Sequence, residues 1–262
     1  MLHGLGISTF GWRVAILTDS ESTRAVLDRY LFPWLGRSAA EPEKADDVFW
    51  VLPAREGFQV RAADQTVVCS ATLETLIPQL QSLLDRRMVD RFSNVVAIHA
   101  GVAACGGSAI LLPGPSHSGK STLVAELVRR GCAYFSDEYA LIDPMGLAHP
   151  YPRAMMLRNG EAAARPVLAS EWNATVGCGP APVALVLALE YAPGATWNIR
   201  RVPQSEMLLT LLKNTPHSVS ESRDLVAPLL RTSKGAACFA GVRGEAGDAA
   251  GRIMALAAGD SA

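Results

Sequence analysis

The segment Gly114-Pro-Ser-His-Ser-Gly119-Lys120-Ser121-Thr122 carries the residue types needed to hold a chain of phosphates. It satisfies GxxxxGK[ST], with an apolar run at Ala109–Leu112 before it and helical spacing after it. Gly114 and Gly119 let the backbone turn tightly, so that several N–H groups point at one anion. The helix expected next adds its positive N-terminal end. In such a loop Lys120 reaches the β- and γ-phosphates of a nucleoside triphosphate, and the Ser121 hydroxyl is placed to ligate Mg²⁺. The expected nucleotide-binding residues are therefore Gly114, Pro115, Ser116, His117, Ser118, Gly119, Lys120, Ser121 and Thr122. His117 is expected to be a solvent-facing, variable position within that set. The pattern arises by chance on the order of once in a hundred chains of this length. The flanking strand and helix lower that rate, which favours a nucleotide site.

A second group follows the next expected strand, in Phe135-Ser136-Asp137-Glu138. A carboxylate at a strand end beside a phosphate loop is where Mg²⁺ is held, directly or through water. With two adjacent acids, one can serve the metal while the other takes the proton from an attacking hydroxyl. Asp137 and Glu138 are both candidate metal ligands, with Ser121, and both candidate catalytic groups; the sequence does not divide the roles. The bland alternative is a solvated turn with two surface acids. His99 ends the strand expected just before the loop's hairpin, where a lone His is more often packed than catalytic.

These residues need elements to position them. In the first 92 residues, Trp12–Thr18 reads as a strand and Ser20–Phe32 as a helix. Ser38–Asp47 reads as a loop, and Val48–Leu52 with Phe58–Arg61 as a hairpin around Glu56-Gly57. Thr66–Cys69 is a further strand. Thr72–Arg91 is an amphipathic helix with Leu73, Leu76, Ile77, Leu80, Leu83, Leu84 and Met88 on one stripe. From residue 93 the pattern changes. Val95–His99 reads as a strand, Gly101–Cys105 and Ser108–Leu112 as a hairpin, and Thr122–Arg130 as a helix closed by Gly131. Ala133–Ser136 and Tyr139–Asp143 are strands, and Val183–Glu190 is an apolar strand of the kind buried on both faces. Helices are expected within Arg201–Leu212, over Ser222–Arg231 and over Ala246–Ala258, with a strand at Ala236–Val242. The division expected is a small α+β module at 1–92 and a larger α/β domain at 93–262.

The bulk numbers fit that plan. The chain has 262 residues, 49% hydrophobic and 19% charged, enough apolar residues to bury a core. The net charge of −1 gives no global field for nucleic acid or an anionic membrane, and neither is expected as a partner. The longest apolar stretches, such as Pro182–Leu189, are too short to span a bilayer, and no signal peptide is read at the N-terminus. Cys69, Cys105, Cys132, Cys178 and Cys238 show no metal spacing and are expected to be reduced core thiols of a cytoplasmic protein.

Together, His99 before a β-hairpin, the Gly114–Thr122 loop, and the Asp137-Glu138 pair after the next strand resemble the catalytic domain of the HPr serine kinase/phosphorylase family. The likeness is greatest to its shorter members, such as the lasso-peptide kinases, and covers about residues 93–258. The resemblance implies a P-loop domain with the mixed sheet shared with phosphoenolpyruvate carboxykinases. It implies an active-site role for His99 and an ATP- and Mg²⁺-dependent kinase acting on a Ser/Thr hydroxyl of a protein or peptide. The subgroup's Tyr-Pro-Arg segment is Tyr151-Pro152-Arg153 here, making Arg153, or nearby Arg158, a candidate for neutralising charge on the transferring phosphoryl group. Two departures narrow the expectation. The family's second Asp is replaced by Glu138, and the Glu-Ile-Arg-Gly segment linked to phosphorylase activity is missing. A small-molecule kinase and a non-catalytic nucleotide sensor are the competing readings. The N-terminal module is expected to recognise the acceptor; capping the core or building a homo-oligomer are its alternatives.

Overall fold

The computed structural model describes residues 2–31, 36–63, 65–92, 94–116, 118–157, 165–216 and 225–259. The expectations for His117, Arg158 and the start of the Ser222–Arg231 helix lie outside them. The chain forms two compact units. The first comprises the described residues of Met1–Ser93 and Arg158–Leu168, and the second those of Asn94–Leu157 and Ala169–Ala262. The expected N-terminal module thus gains a later segment of the chain.

In the first unit, β1 (His3–Thr9) and β2 (Trp12–Thr18) pair antiparallel and precede α1 (Glu21–Leu31). The short β3 (Arg37–Ser38) adds to β1. The strands β4 (Asp47–Pro53), β5 (Phe58–Ala62) and β6 (Gln65–Ser70) complete a sheet of order β3-β1-β2-β4-β5-β6. The helix α2 (Leu73–Val89) starts at a capping box between Thr72 and Thr75. Its buried stripe is Leu76, Ile77, Leu80, Leu84 and Met88, the helical spacing legible in the sequence. The strand β1 had no strong signal, because Gly4 and Gly6 interrupt the apolar alternation of Leu5 and Ile7.

The second unit is built around β7 (Val96–Cys105), one strand of ten residues. The sequence suggested a break after His99. Instead the strand continues and changes neighbours: residues 96–99 pair with β10 (Tyr139–Ile142), and residues 100–105 with β8 (Ser108–Pro113). The helix α3 (Lys120–Arg129) follows β8, and β9 (Ala133–Ser136) pairs antiparallel with β7. Beyond β10 come β11 (Leu147–His149) and β12 (Met155–Leu157); β13 (Arg165–Val167) belongs to the first unit. The remaining strands are β14 (Ala181–Tyr191), β15 (Asn198–Arg201) and β16 (Ala237–Arg243). The sheet order is β11-β10-β7-β8-β14-β16-β15, with β8, β14 and β16 mutually parallel and the other pairings antiparallel. It is an α/β unit with a mixed sheet.

Helices cover both faces of this sheet. On one face α3 and α6 (Ala246–Ala258) pack against Ile110, Leu112, Leu185 and Leu187. On the other, α4 (Gln204–Lys213) and α5 (Val226–Gly235) pack against Leu111, Val186 and Cys238. Burial on both faces is why β8 and β14 read as continuous apolar runs.

The expectation of five reduced core thiols is corrected. Cys105 and Cys132 form a disulfide with Cα atoms 4.6 Å apart, and Cys69 and Cys178 are exposed. The cause is strand register. Ala104 pairs with Ala133 across β7 and β9, which sets Cys105 opposite Cys132 one step further. No helix is long and apolar enough to cross a membrane among the described residues.

Candidate functional site

The loop begins where β8 ends at Pro113. Gly114 N–H donates to His99 O at 3.2 Å, and Ser118 N–H to Pro115 O at 3.3 Å, which curls the chain back before α3. Gly119 stands at the helix N-cap in the left-handed region, φ 78°, with no side-chain cap. The first N–H groups of α3, those of Lys120, Ser121 and Thr122, therefore point outward with no helical carbonyl to bond. That is the backbone arrangement an anion needs. Lys120 Nζ folds over the loop and donates to Gly114 O (2.9 Å) and Pro115 O (2.7 Å). Burial pushes its pKa down, against the raising effect of Glu138 and Asp137. Pro115, Ser116 and Thr122 are exposed, so the Thr122 side chain faces solvent and the residue offers the loop only its backbone.

The acidic pair lies beside this loop, but not at a free strand end. Ser136 opposes Val102 and Tyr139 opposes His99 in one unbroken register, with Asp137-Glu138 as a bend between β9 and β10. Ser136 Oγ accepts from the N–H groups of Glu138 and Tyr139 and holds the bend. Across from it is Gly101, where a Cβ would stand 2.6 Å from Val124 Cγ2 of α3. Only a glycine lets α3 lie this close, and that brings Lys120 over the strand beside the acids.

The two acids differ in surroundings. Asp137 is buried, its side chain 1% exposed; Tyr134 OH donates to its Oδ1 at 2.9 Å, and Arg153 Nε is 3.6 Å away. Burial raises its pKa, while Arg153, Ser121 and Tyr134 pull it back. Glu138 is 32% exposed, with Oε1 3.6 Å from His99 Nδ1. Burial pushes its carboxyl up, but His99, Arg153 and Lys120 outweigh it and hold it below the ordinary value. The His99 ring lies 4.5 Å from that of Tyr139, its cross-strand partner. Lys120, Ser121, Asp137, Glu138, His99 and Arg153 are thus assembled in one place. Arg153 arrives because Tyr151 N–H bonds Phe135 O, laying the Tyr151–Arg153 segment along β9.

Among the described residues no group of three or more His, Cys, Asp and Glu side chains could hold a metal. Mg²⁺ bound to a nucleotide needs fewer protein ligands, since it takes phosphate and water oxygens as well. Ser121 acting on the Asp137 carboxyl sets two oxygen donors together, which fits that chemistry.

One residue in direct contact with the loop had not been singled out. Arg243, at the end of β16, donates to Gly119 O (3.0 Å), Ser118 O (3.4 Å) and Gly244 O (3.0 Å) and is buried. Its guanidinium carbon stands 4.9 Å from the Tyr191 ring centroid. The available signal was a charged residue at the C-terminal end of an apolar strand, where α/β sheets place ligands. Neither a protein-family model nor a curated protein matches this chain.

Proposed function

We propose that the chain is a Mg²⁺- and ATP-dependent kinase of the HPr-kinase type, with Gly114–Thr122 as its P-loop and a Ser/Thr hydroxyl of a protein or peptide as acceptor. The observation that carries this is the acidic pair held beside the N-terminus of α3, with its two carboxylates in different environments. An antiparallel β7–β8 entry into the loop, within a mixed sheet, also supports the resemblance over an all-parallel nucleotide-binding fold.

In this reading the environments divide the roles. Asp137, buried beside Ser121, holds the metal together with that hydroxyl; Mg²⁺ supplies charge neutralisation on the phosphates. Glu138 is the accessible acid and takes the proton of the acceptor hydroxyl, with His99 orienting it. The hydroxyl oxygen forms its bond to the γ-phosphorus as the bond to the β–γ bridging oxygen breaks, and ADP leaves. Lys120 and Arg153 offset the charge spread over the phosphoryl oxygens. Lacking the Glu-Ile-Arg-Gly segment, the chain is proposed to run only in the kinase direction.

The test is incubation with γ-labelled ATP, Mg²⁺ and candidate acceptor peptides. Label is expected on a Ser or Thr with wild type and is expected to disappear with Asp137→Ala. Equal labelling by both proteins would sink this mechanism.

A further inference from the structure

A cavity of about 820 Å³ opens beside the loop, and its lining includes none of His99, Lys120, Asp137, Glu138 or Arg153. Gly114, Pro115 and Ser118 form its rim. Its floor is the C-terminal ends of β14 and β16, with Ala188 and Ala240. Asn198 of β15 and Thr210 and Asn214 of α4 contribute its walls. We propose that this cavity holds the nucleoside, base and ribose together, of the triphosphate whose phosphates the loop cradles. The inference rests on the phosphate-binding reading of the loop made above.

Three observations converge on it. The first is direction. The sheet runs β10-β7-β8-β14-β16-β15, with the carboxylates on the β7 and β10 side of the loop strand and the cavity on the β14 and β16 side. From β7 to β16 is three strand spacings, roughly 14 Å. A phosphate chain lying in the loop with its terminal phosphate toward Asp137 and Glu138 has its other end toward the cavity. The acceptor hydroxyl must approach the terminal phosphate, so it belongs on the carboxylate side.

The second is a partition. Asn214 lines the cavity, and its carbonyl accepts the His99 N–H at 2.7 Å. The C-terminal end of α4 therefore borders both His99 and the cavity. His99 and the two carboxylates are not among the lining residues, so an acceptor seated within the cavity would not touch the groups that must activate it.

The third is chemistry. The volume lies in the range of small-molecule sites, and the cavity opens at the C-terminal ends of parallel strands, where such sheets bind ligands. Ala188 and Ala240 give a flat apolar floor for a base. The Asn198 amide can meet polar base edges, and the Glu190 carboxylate can accept from ribose hydroxyls. Arg243 joins the two parts, since it follows the lining residue Val242 at the end of β16 while donating to the loop carbonyls of Ser118 and Gly119.

The experiment compares ATP with inorganic tripolyphosphate, each with Mg²⁺, by calorimetry on the full chain. Ala240→Trp fills the floor, and Asn198→Trp fills the mouth from an exposed position. ATP affinity is expected to fall at least about tenfold in each while tripolyphosphate affinity stays within about twofold. Unchanged ATP affinity in a variant that still binds tripolyphosphate overturns the nucleoside assignment and leaves the phosphate site standing. Failure of wild type to bind either ligand overturns the loop reading and this inference with it. A measurement on unmutated protein covers variants that fail to fold. Photolabelling with 8-azido-ATP is expected to mark peptides within 188–200, 210–214 or 240–242, with tripolyphosphate competing. Label confined to β7 or β10 overturns the proposal.

Discussion

Glu138 is assigned the base role in the proposed mechanism because of its exposure and its neighbours. Burial acts to raise its pKa, yet His99, Arg153 and Lys120 win, so the group is ionised at neutral pH. A carboxyl held below its ordinary 4.5 loses its charge only as pH falls through that lowered value. His99→Gln removes one lowering influence, so the acid limb of kcat/KM against pH is expected to move toward higher pH; an unmoved limb would deny His99 its orienting role. Glu138→Gln is expected to lower kcat by roughly 10²- to 10⁴-fold with Mg-ATP affinity little changed, in single-turnover kinetics. Arg243 acts on the loop instead. Its guanidinium serves three carbonyls at once, a planar fork that a lysine ammonium cannot reproduce. Arg243→Ala is expected to cost about 1–3 kcal/mol in urea unfolding, with Arg243→Lys restoring little of it.

At the scale of elements, β7 organises the site. Its first half carries His99 beside β10, its second half forms the hairpin that delivers the loop, and Gly101 between them admits α3. The far end of the hairpin is tied by Cys105–Cys132, a separation of 27 residues. A bridge closing a loop of that size is expected to contribute about 3.5 kcal/mol. Reductant, or Cys105→Ser, should lower the urea midpoint accordingly. An unchanged midpoint under reductant would show that the bridge adds nothing to stability. Tripolyphosphate binding should persist, because the disulfide lies at the end of the hairpin opposite the loop.

At the scale of the whole molecule, the two units share the chain unequally. Val167 and Leu168 are buried and belong to the first unit, although they lie far beyond its main span. A fragment of residues 94–262 keeps this segment without the rest of the unit it belongs to. It is expected to melt at lower temperature than the full chain and to aggregate in size-exclusion chromatography. Equal melting temperatures would show that separating this segment from the rest of its unit costs no stability.

Local patterns carried far in this sequence. The bounds of β2 and α6 were legible residue for residue, and the stripe of α2 nearly so, because apolar period and capping act within a few residues. The candidate phosphate loop stands out in the sequence for the same reason: the chemistry proposed for it needs glycines, a lysine and a hydroxyl at fixed short spacing. Tertiary structure decided what depends on register and on distant segments meeting. It ran β7 straight through His99, where the sequence suggested a break. It set Cys105 against Cys132, and gave Asp137 burial and Glu138 exposure within one bend. It also brought Arg243 to Gly119 from 124 residues away. No spacing rule reaches that far, because the geometry is fixed by strand pairing across the sheet rather than by neighbours along the chain.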